Sequence, residues 1–283
     1  MLEHFCWSAS NYAGANRTAY GWVIGGYPNL FRNTDLSEMA ARLAVLVLIT
    51  LPATLPPLCL LGWPFRLRVK ETQGLRQSVT LLCGSAAALL ASTYPRPDLT
   101  HLMYVAPIFY VLGAGLAAPA VSKRREPLVL LIVGLIAGLL LAAAAKQRQQ
   151  EHWMTTPAGR IHGRSPDLEV VRMVTSRVAR NDSLFVYPYA PIFYFLTQAH
   201  NPTRYSFLQP GMSTPVDERL ALDALLARPP RWILFFSVTP ETYLRTWPSS
   251  DPSRLRMPSI EKFIRERYRI VSSADRFQLM EIC

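Results

Sequence analysis

Residues Pro127–Ala145 read PLVLLIVGLIAGLLLAAAA, an unbroken apolar run with no charged side chain. A helix needs roughly 20 mostly apolar residues to cross the hydrocarbon core of a bilayer, so this stretch reads as a membrane span. The competing reading, a buried helix of a soluble protein, weakens when the neighbouring sequence is added. Upstream lie three more apolar runs. MAARLAVLVLITLPATLPPLCLLGW covers Met39–Trp63, a run over about Leu75–Thr93 contains LLCGSAAALLAS, and LTHLMYVAPIFYVLGAGLAAPAV covers Leu99–Val121. Pro52, Pro56 and Pro57 predict a kink or break in the first of these.

Composition agrees with an uneven chain. Of 283 residues, 50% are hydrophobic and 17% are charged, and the apolar ones concentrate before about residue 145. The formal charge of +11 raises the possibility of a nucleic-acid partner. No basic stripe with interleaved aromatics accompanies it, and nucleic acid is not expected. Much of the charge lies in short loops instead, where it sets topology. Arg66, Arg68, Lys70 and Arg76 separate the first two runs, and Lys123, Arg124 and Arg125 separate the last two. The loop STYPRPDLTH, Ser92–His101, has only Arg96, with Asp98 beside it. The excess of Lys and Arg in cytoplasmic loops therefore predicts that this loop, both termini and everything after the fourth run face outward. Residues 1–38, rich in aromatics such as Trp7, Tyr12, Tyr20, Trp22, Tyr27 and Phe31, read as an outward interfacial loop region or a lid. They hold no signal peptide to carry them across, which points to a C-terminal part of a longer membrane protein whose upstream half is missing.

After Ala145 the pattern changes. TTPAGRIHGRSPD reads as a linker with turn residues, and DLEVVRMVTSRVAR as an amphipathic helix. SLFVYP and RWILFFSV read as buried strands, PIFYFLTQ, VDERLALDALLAR and SIEKFIRERYR as helices, and YRIVSS and FQLMEI as closing strands. Strands alternating with helices predict a small α/β layer over residues 146–283. The expected fold class is thus a multi-pass helical membrane region, 39–145, with four transmembrane helices at about 39–63, 75–93, 99–121 and 127–145. An α/β extracytoplasmic domain follows it.

Chemistry-bearing residues gather in two outward stretches. In the opening of the third run, Pro97 ends any preceding helix, Asp98 sits at the N-cap and His101 lies in the first turn. A helix N-terminus attracts anions, and the Arg96 guanidinium suits a phosphate or carboxylate. Arg96, Asp98 and His101 are therefore candidates for phosphate binding. The plainer reading has Asp98 capping the helix, Arg96 reaching lipid headgroups and His101 idle. In Phe185–Gly211, FVYPYAPIFYFLTQAHNPTRYSFLQPG, Tyr187, Tyr189 and Tyr194 can stack on a sugar or lipid edge and Arg204 can meet a phosphate. The alternative has these aromatics packing structurally, and it is preferred for Tyr194 and Phe195. GAGLAAPA, Gly113–Ala120, is a small-residue helix face read as packing. Nucleophile-elbow, phosphate-loop and zinc-protease motifs are missing, as is a cysteine pattern for a disulfide framework or a metal. None of the four apolar runs carries an ionisable residue near its middle, so a transporter is disfavoured.

The order of YPRPDLTHL, two further runs, then DSLFVYPYAPIFYFLTQAHNPTRYSFLQPG resembles the C-terminal half of bacterial integral-membrane glycosyltransferases of the GT-C superfamily. These are family 39-type relatives of protein O-mannosyltransferases and the aminoarabinose transferase. The resemblance extends from about Tyr94 to Cys283. It implies a plasma-membrane enzyme that moves a sugar from a polyprenyl-phosphate donor to an acceptor on the extracytoplasmic face. It implies a donor-phosphate role for Arg96, Asp98 and His101, a substrate-lining role for Tyr187, Tyr189 and Arg204, and a divalent metal in the full-length parent. The family's catalytic carboxylate lies in a first outward loop that this chain does not match. Glu3 and Asp35 do not inherit the role, the catalytic residue stays unassigned, and the chain alone is expected to be inactive. The alternative is a non-enzymatic, membrane-anchored extracytoplasmic protein that binds a ligand or an assembly partner.

Overall fold

The structure is a computed structural model that describes residues 13–23, 50–64, 73–117, 126–149, 151–209 and 211–283. Residues 39–49, the basic loop residues Arg66, Arg68, Lys70 and Lys123–Arg125, and Trp7, Tyr12, Tyr27 and Phe31 lie outside the described residues. Two compact units emerge. The first is Met1–Val133 with Leu244–Ser249, and the second is Gly134–Tyr243 with Ser250–Cys283.

The first unit is helical. A short helix α1 spans Ala13–Asn16, α2 spans residues 50–64, α3 spans Gln73–Ser92 and α4 spans Leu99–Ala117. Cys59, Ala86, Phe109 and Leu112 form its buried centre, one contribution at least from each of α2, α3 and α4. Small residues let the helices approach. A Cβ added at Gly113 would lie 3.3 Å from Leu55 and 3.6 Å from the Cys59 sulfur, so Gly113 packs against α2, whereas Gly115 has nothing within 4 Å and residues 118–120 lie outside the described residues.

The prolines do not break α2, which is helical throughout residues 50–64. Proline removes an N–H and leaves the carbonyl four residues earlier without its helical donor. For Pro57 that carbonyl belongs to Ala53, and the Tyr20 hydroxyl donates to it at 2.9 Å.

Four membrane-crossing helices are not what the structure shows. Among the described residues one helix, α4, is long and apolar enough to cross a bilayer, with mean hydropathy 1.5. The described part of the first run, 50–64, is too short by itself. α3 is diluted by Gln73, Arg76, Gln77, Ser78, Thr80, Ser85 and Ser92. The most apolar stretch becomes α5, Glu126–Arg148, but the division between the units falls inside it, at Val133/Gly134.

The second unit is built on a sheet. β3 (Leu184–Tyr187), β4 (Trp232–Phe236), β6 (Phe277–Ile282) and β5 (Tyr268–Ala274) lie side by side in that order. β3 and β4 are parallel, and β6 runs antiparallel to both β4 and β5. Helices α6 (Ser165–Thr175) and α7 (Ile192–Thr197) pack on one face through Val170, Val174, Phe193 and Leu196, against Leu184, Val186 and Leu234. Helices α8 (Pro215–Ala227) and α10 (Pro258–Arg267) cover the other through Ala221, Leu225, Ile260 and Ile264, against Phe185, Tyr187 and Ile233. Alternate residues of β3 thus meet opposite layers, and a strand buried on both sides reads as an uninterrupted apolar run. A short helix α9 (Pro240–Thr246) follows β4.

The stretch read as a linker is instead a hairpin. β1 (Glu151–Thr156) pairs antiparallel with β2 (Gly159–Arg164). Gly159 takes φ +122, which only glycine adopts readily, and the Thr156 hydroxyl donates to its carbonyl at 2.9 Å. The turn residues of the supposed linker are the ones that close the strands.

Candidate functional site

The Pro95–His101 turn of the first unit is built by backbone contacts from far away in sequence. Thr18 N–H donates to the Pro95 carbonyl, Gly21 N–H to the Pro97 carbonyl, and Leu99 N–H to the Trp22 carbonyl, at 3.2, 2.8 and 2.9 Å. Gly21 has φ +70, so the close approach depends on glycine there. The turn ends at Asp98, which caps α4. Its Oδ1 accepts from the His101 backbone N–H at 3.0 Å, satisfying a donor that the first helical turn leaves open.

The side chains of Arg96, Asp98 and His101 come together as one cluster. Arg96 Nε donates to Asp98 Oδ2 at 2.6 Å, and His101 Nδ1 lies 2.8 Å from Asp98 Oδ1. Asp98 is 1% exposed. Burial drives its pKa up, but this is outweighed by hydrogen bonds from the His101 ring, Arg96 and the His101 backbone and by the His101 charge, and the carboxyl titrates below its usual value. A carboxylate only accepts, so Asp98 fixes the proton of the neutral imidazole on Nδ1 and leaves Nε2 as the ring's reactive nitrogen. The His101 side chain is 40% exposed and meets the Tyr104 ring edge-on at 6.4 Å.

Arg96 faces inward. It is 8% exposed, its Nη2 donates to the Thr246 carbonyl at 2.9 Å, and its guanidinium carbon sits 5.6 Å from the Trp247 ring centre. The segment Leu244–Ser249 belongs to the first unit. It also receives the Trp22 indole N–H on the Arg245 carbonyl at 3.3 Å, and Ser249 bonds the Arg17 carbonyl. Nothing in the local pattern around Arg96 points to Thr246 or Trp247.

A second arrangement lies wholly in the second unit, at the carboxyl ends of the parallel strands β3 and β4. There a cavity of about 290 Å³ is lined by Tyr187, Phe235, Phe236, Tyr243, Arg256 and Glu261, among others. Tyr187 is buried and donates its hydroxyl to Glu261 Oε1 at 3.3 Å. Burial first, and then the Glu261 charge, push its phenol well above the ordinary tyrosine range. Tyr189 packs edge-on against two cavity rings, Phe236 at 5.5 Å and Tyr243 at 6.0 Å. Arg204 lies elsewhere, against the Tyr205 ring at 5.6 Å. Tyr187, Tyr189 and Arg204 do not converge on one site. Tyr194 is structural, its hydroxyl oxygen accepting from the Val186 N–H at 2.9 Å, while Phe195 is 58% exposed.

The sequence did not single out Glu261 and Arg256, although a signal was present. Met257, Ile260, Glu261 and Ile264 follow the spacing of one helix face, and all four are buried. A carboxylate in that stripe must be paired, and Arg256 supplies the partner: its Nε lies 3.2 Å from Glu261 Oε1, and Nη2 bonds Oε2.

A divalent metal does not fit the turn. Asp98 and His101 are two candidate ligands, and both Asp98 oxygens are already engaged by Arg96 and His101. Among the described residues no three His, Cys, Asp or Glu side chains converge on a metal position. No family model, curated protein or solved structure matches the chain.

Proposed function

We propose that the chain is part of a membrane glycosyltransferase that uses a polyprenyl-phosphate-linked sugar on the extracytoplasmic face, with His101 meeting the phosphate. The observation that carries this reading is the cluster at the start of α4. A buried carboxylate grips one ring nitrogen of a half-exposed histidine, at the N-terminus of α4, a helix long and apolar enough to cross a bilayer. A phosphate oxygen only accepts, so Nε2 would donate to it while Nδ1 donates to Asp98. Asp98 and Arg96 act as positioning residues.

Lipid contact suits the surface of these helices. Leu58, Leu61, Leu81, Met103, Tyr104 and Val111 are all more than half exposed, a large apolar surface for a water-soluble body. In the reaction, an acceptor oxygen would bond to the anomeric carbon as the bond to the lipid phosphate breaks. His101 would hold the departing phosphate, stabilising charge where it develops. The residue that takes the acceptor's proton is not assigned.

The test uses the whole chain in detergent, with native mass spectrometry of decaprenyl phosphate against decaprenol. The phosphate lipid should be retained over the alcohol, and His101→Ala should weaken its retention by about tenfold or more, the scale of one charge-assisted hydrogen bond. Equal retention of the two lipids would refute the proposal.

A further inference from the structure

We infer that the cavity at the carboxyl ends of β3 and β4, lined by Tyr187, Phe235, Phe236 and Tyr243 together with the Arg256–Glu261 pair, binds an uncharged hexopyranose ring. The place is right for a ligand: open α/β sheets bind small molecules beyond the carboxyl ends of their parallel strands. So is the size. At about 290 Å³ the space is at the lower end of ligand pockets and holds one ring rather than a chain of them.

The lining selects the chemistry. Aromatic rings offer flat apolar faces to the C–H face of a sugar. Tyr187 and Phe235 lie 5.6 Å apart at an interplanar angle of 31°, and Tyr243 is buried at 3% exposure. Polar groups stand among them. Glu261, 7% exposed, accepts from Tyr187 and Arg256, and the Ser237 hydroxyl is exposed at the edge. Arg256 commits Nε and Nη2 to Glu261, and Nη1 makes no hydrogen bond within the described residues. One cation and one anion line the cavity, so it presents donors and acceptors without net charge. That favours a neutral polyol over a phosphate or a carboxylate, for which the buried Glu261 is repulsive. An entirely apolar ligand would leave these polar groups facing it unpaired.

The inference concerns residues separate from His101 and stands whether or not the phosphate reading holds. His101→Ala should leave it unchanged. The experiment is saturation-transfer NMR with competition titration on the full chain. The probes are the methyl α-pyranosides of glucose, mannose and galactose, with glucuronate and inorganic phosphate as charged comparisons. At least one neutral pyranoside should bind saturably, and glucuronate and phosphate should not compete. Tyr243→Leu and Arg256→Gln should each weaken binding by about tenfold. Ser237→Trp fills the mouth from an exposed position, without touching the core, and should abolish binding in a chain whose circular dichroism is unchanged. Lys262→Ala, on the exposed side of α10, should have no effect. Saturation by none of the three pyranosides, binding of glucuronate or phosphate alone, or binding indifferent to Ser237→Trp and Arg256→Gln would each overturn the inference.

Discussion

A single oxygen of Asp98 holds His101 twice: Oδ1 lies 3.0 Å from the His101 backbone nitrogen and 2.8 Å from its ring Nδ1. The other oxygen takes Arg96 Nε at 2.6 Å. One carboxylate therefore caps α4, orients the imidazole and neutralises a buried guanidinium. The two readings left open by the sequence, a cap and an anion site, are not rivals here, because the cap is what aims the ring. Arg96 has a different job from the one its exposed-looking loop indicated, since it ties the turn to Thr246 and Trp247.

Asp98→Ala should be among the most destabilising substitutions in the first unit. It strands Arg96, with its side chain 10% exposed, and removes the cap, and breaking a buried pair from one side costs about 3–5 kcal/mol. The double variant Arg96→Met, Asp98→Leu should recover much of that loss. Unfolding of the three chains in detergent checks it, and a double variant no better than Asp98→Ala would contradict this account of the pair.

The Tyr20 hydroxyl donates to the carbonyl that Pro57 leaves without a helical partner. Tyr20→Phe should cost about 0.5–1.5 kcal/mol, the net worth of one hydrogen bond. In Pro57→Ala the helix supplies its own donor to Ala53, so the same Tyr20→Phe change should then cost much less. A double-mutant cycle on thermal unfolding reads the difference, and equal costs in both backgrounds would dissociate Tyr20 from the proline.

How much of this was legible follows the range of the interactions. Leu184–Tyr187 and Trp232–Phe236 announce themselves as strands because both faces are buried and every position is apolar. Helices at Ser165–Thr175 and Pro258–Arg267 show their periodicity directly. The Asp98 cap is local, set by Pro97 before it and His101 after it. Thr246 and Trp247 meet Arg96 through tertiary structure, and no spacing in the sequence encodes that. Apolar length misled for the opposite reason: a run such as Pro127–Ala145 states that a helix is greasy, not which unit each half belongs to. At Thr156–Gly159 the same turn residues suit a linker or a hairpin, and a positive-φ glycine closes the hairpin.

Gly211 sits at φ +76, and a Cβ there would come within 2.6 Å of Ser250 Cβ. Its N–H donates to the Arg254 carbonyl at 2.8 Å, so the chain cannot swing away freely. Gly211→Ala should lose about 1–2 kcal/mol from the left-handed backbone alone, before the steric contact is counted. Adding Ser250→Gly should return the contact portion and leave the backbone portion. Denaturant midpoints for the two chains separate them, and a neutral Gly211→Ala would show that the turn is not held as described.

Acid should act on the first unit through Asp98. Its folded pKa lies below the ordinary aspartate value of 3.8, so its contribution is complete above that pH and is lost as pH falls through the lower folded value. The stability gap between the natural chain and Asp98→Asn should be constant down to about pH 4 and shrink below it. A gap that closed at higher pH would place the carboxyl above its ordinary value and remove the argument for a tightly held anion.

Alkali should act on the second unit through its tyrosines. Burial pushes Tyr189 and Tyr268 up to about 12, with Arg276 and Arg267 respectively pulling the other way, and burial also raises Tyr187 and Tyr194. Each phenol therefore binds its proton more tightly folded than unfolded. The stability they confer is complete below pH 10 and declines as pH climbs from 10 towards 12, because the unfolded chain releases those protons first. Phenolate absorbance followed against pH should show a late fraction that ionises together with loss of the near-ultraviolet circular dichroism, rather than ahead of it. Tyr189→Phe should shrink that fraction and shift the alkaline transition upward. A titration in which all phenolate appears near pH 10 with the fold intact would mean that these four rings are open to water, and the aromatic wall of the β3–β4 cavity would lose its support.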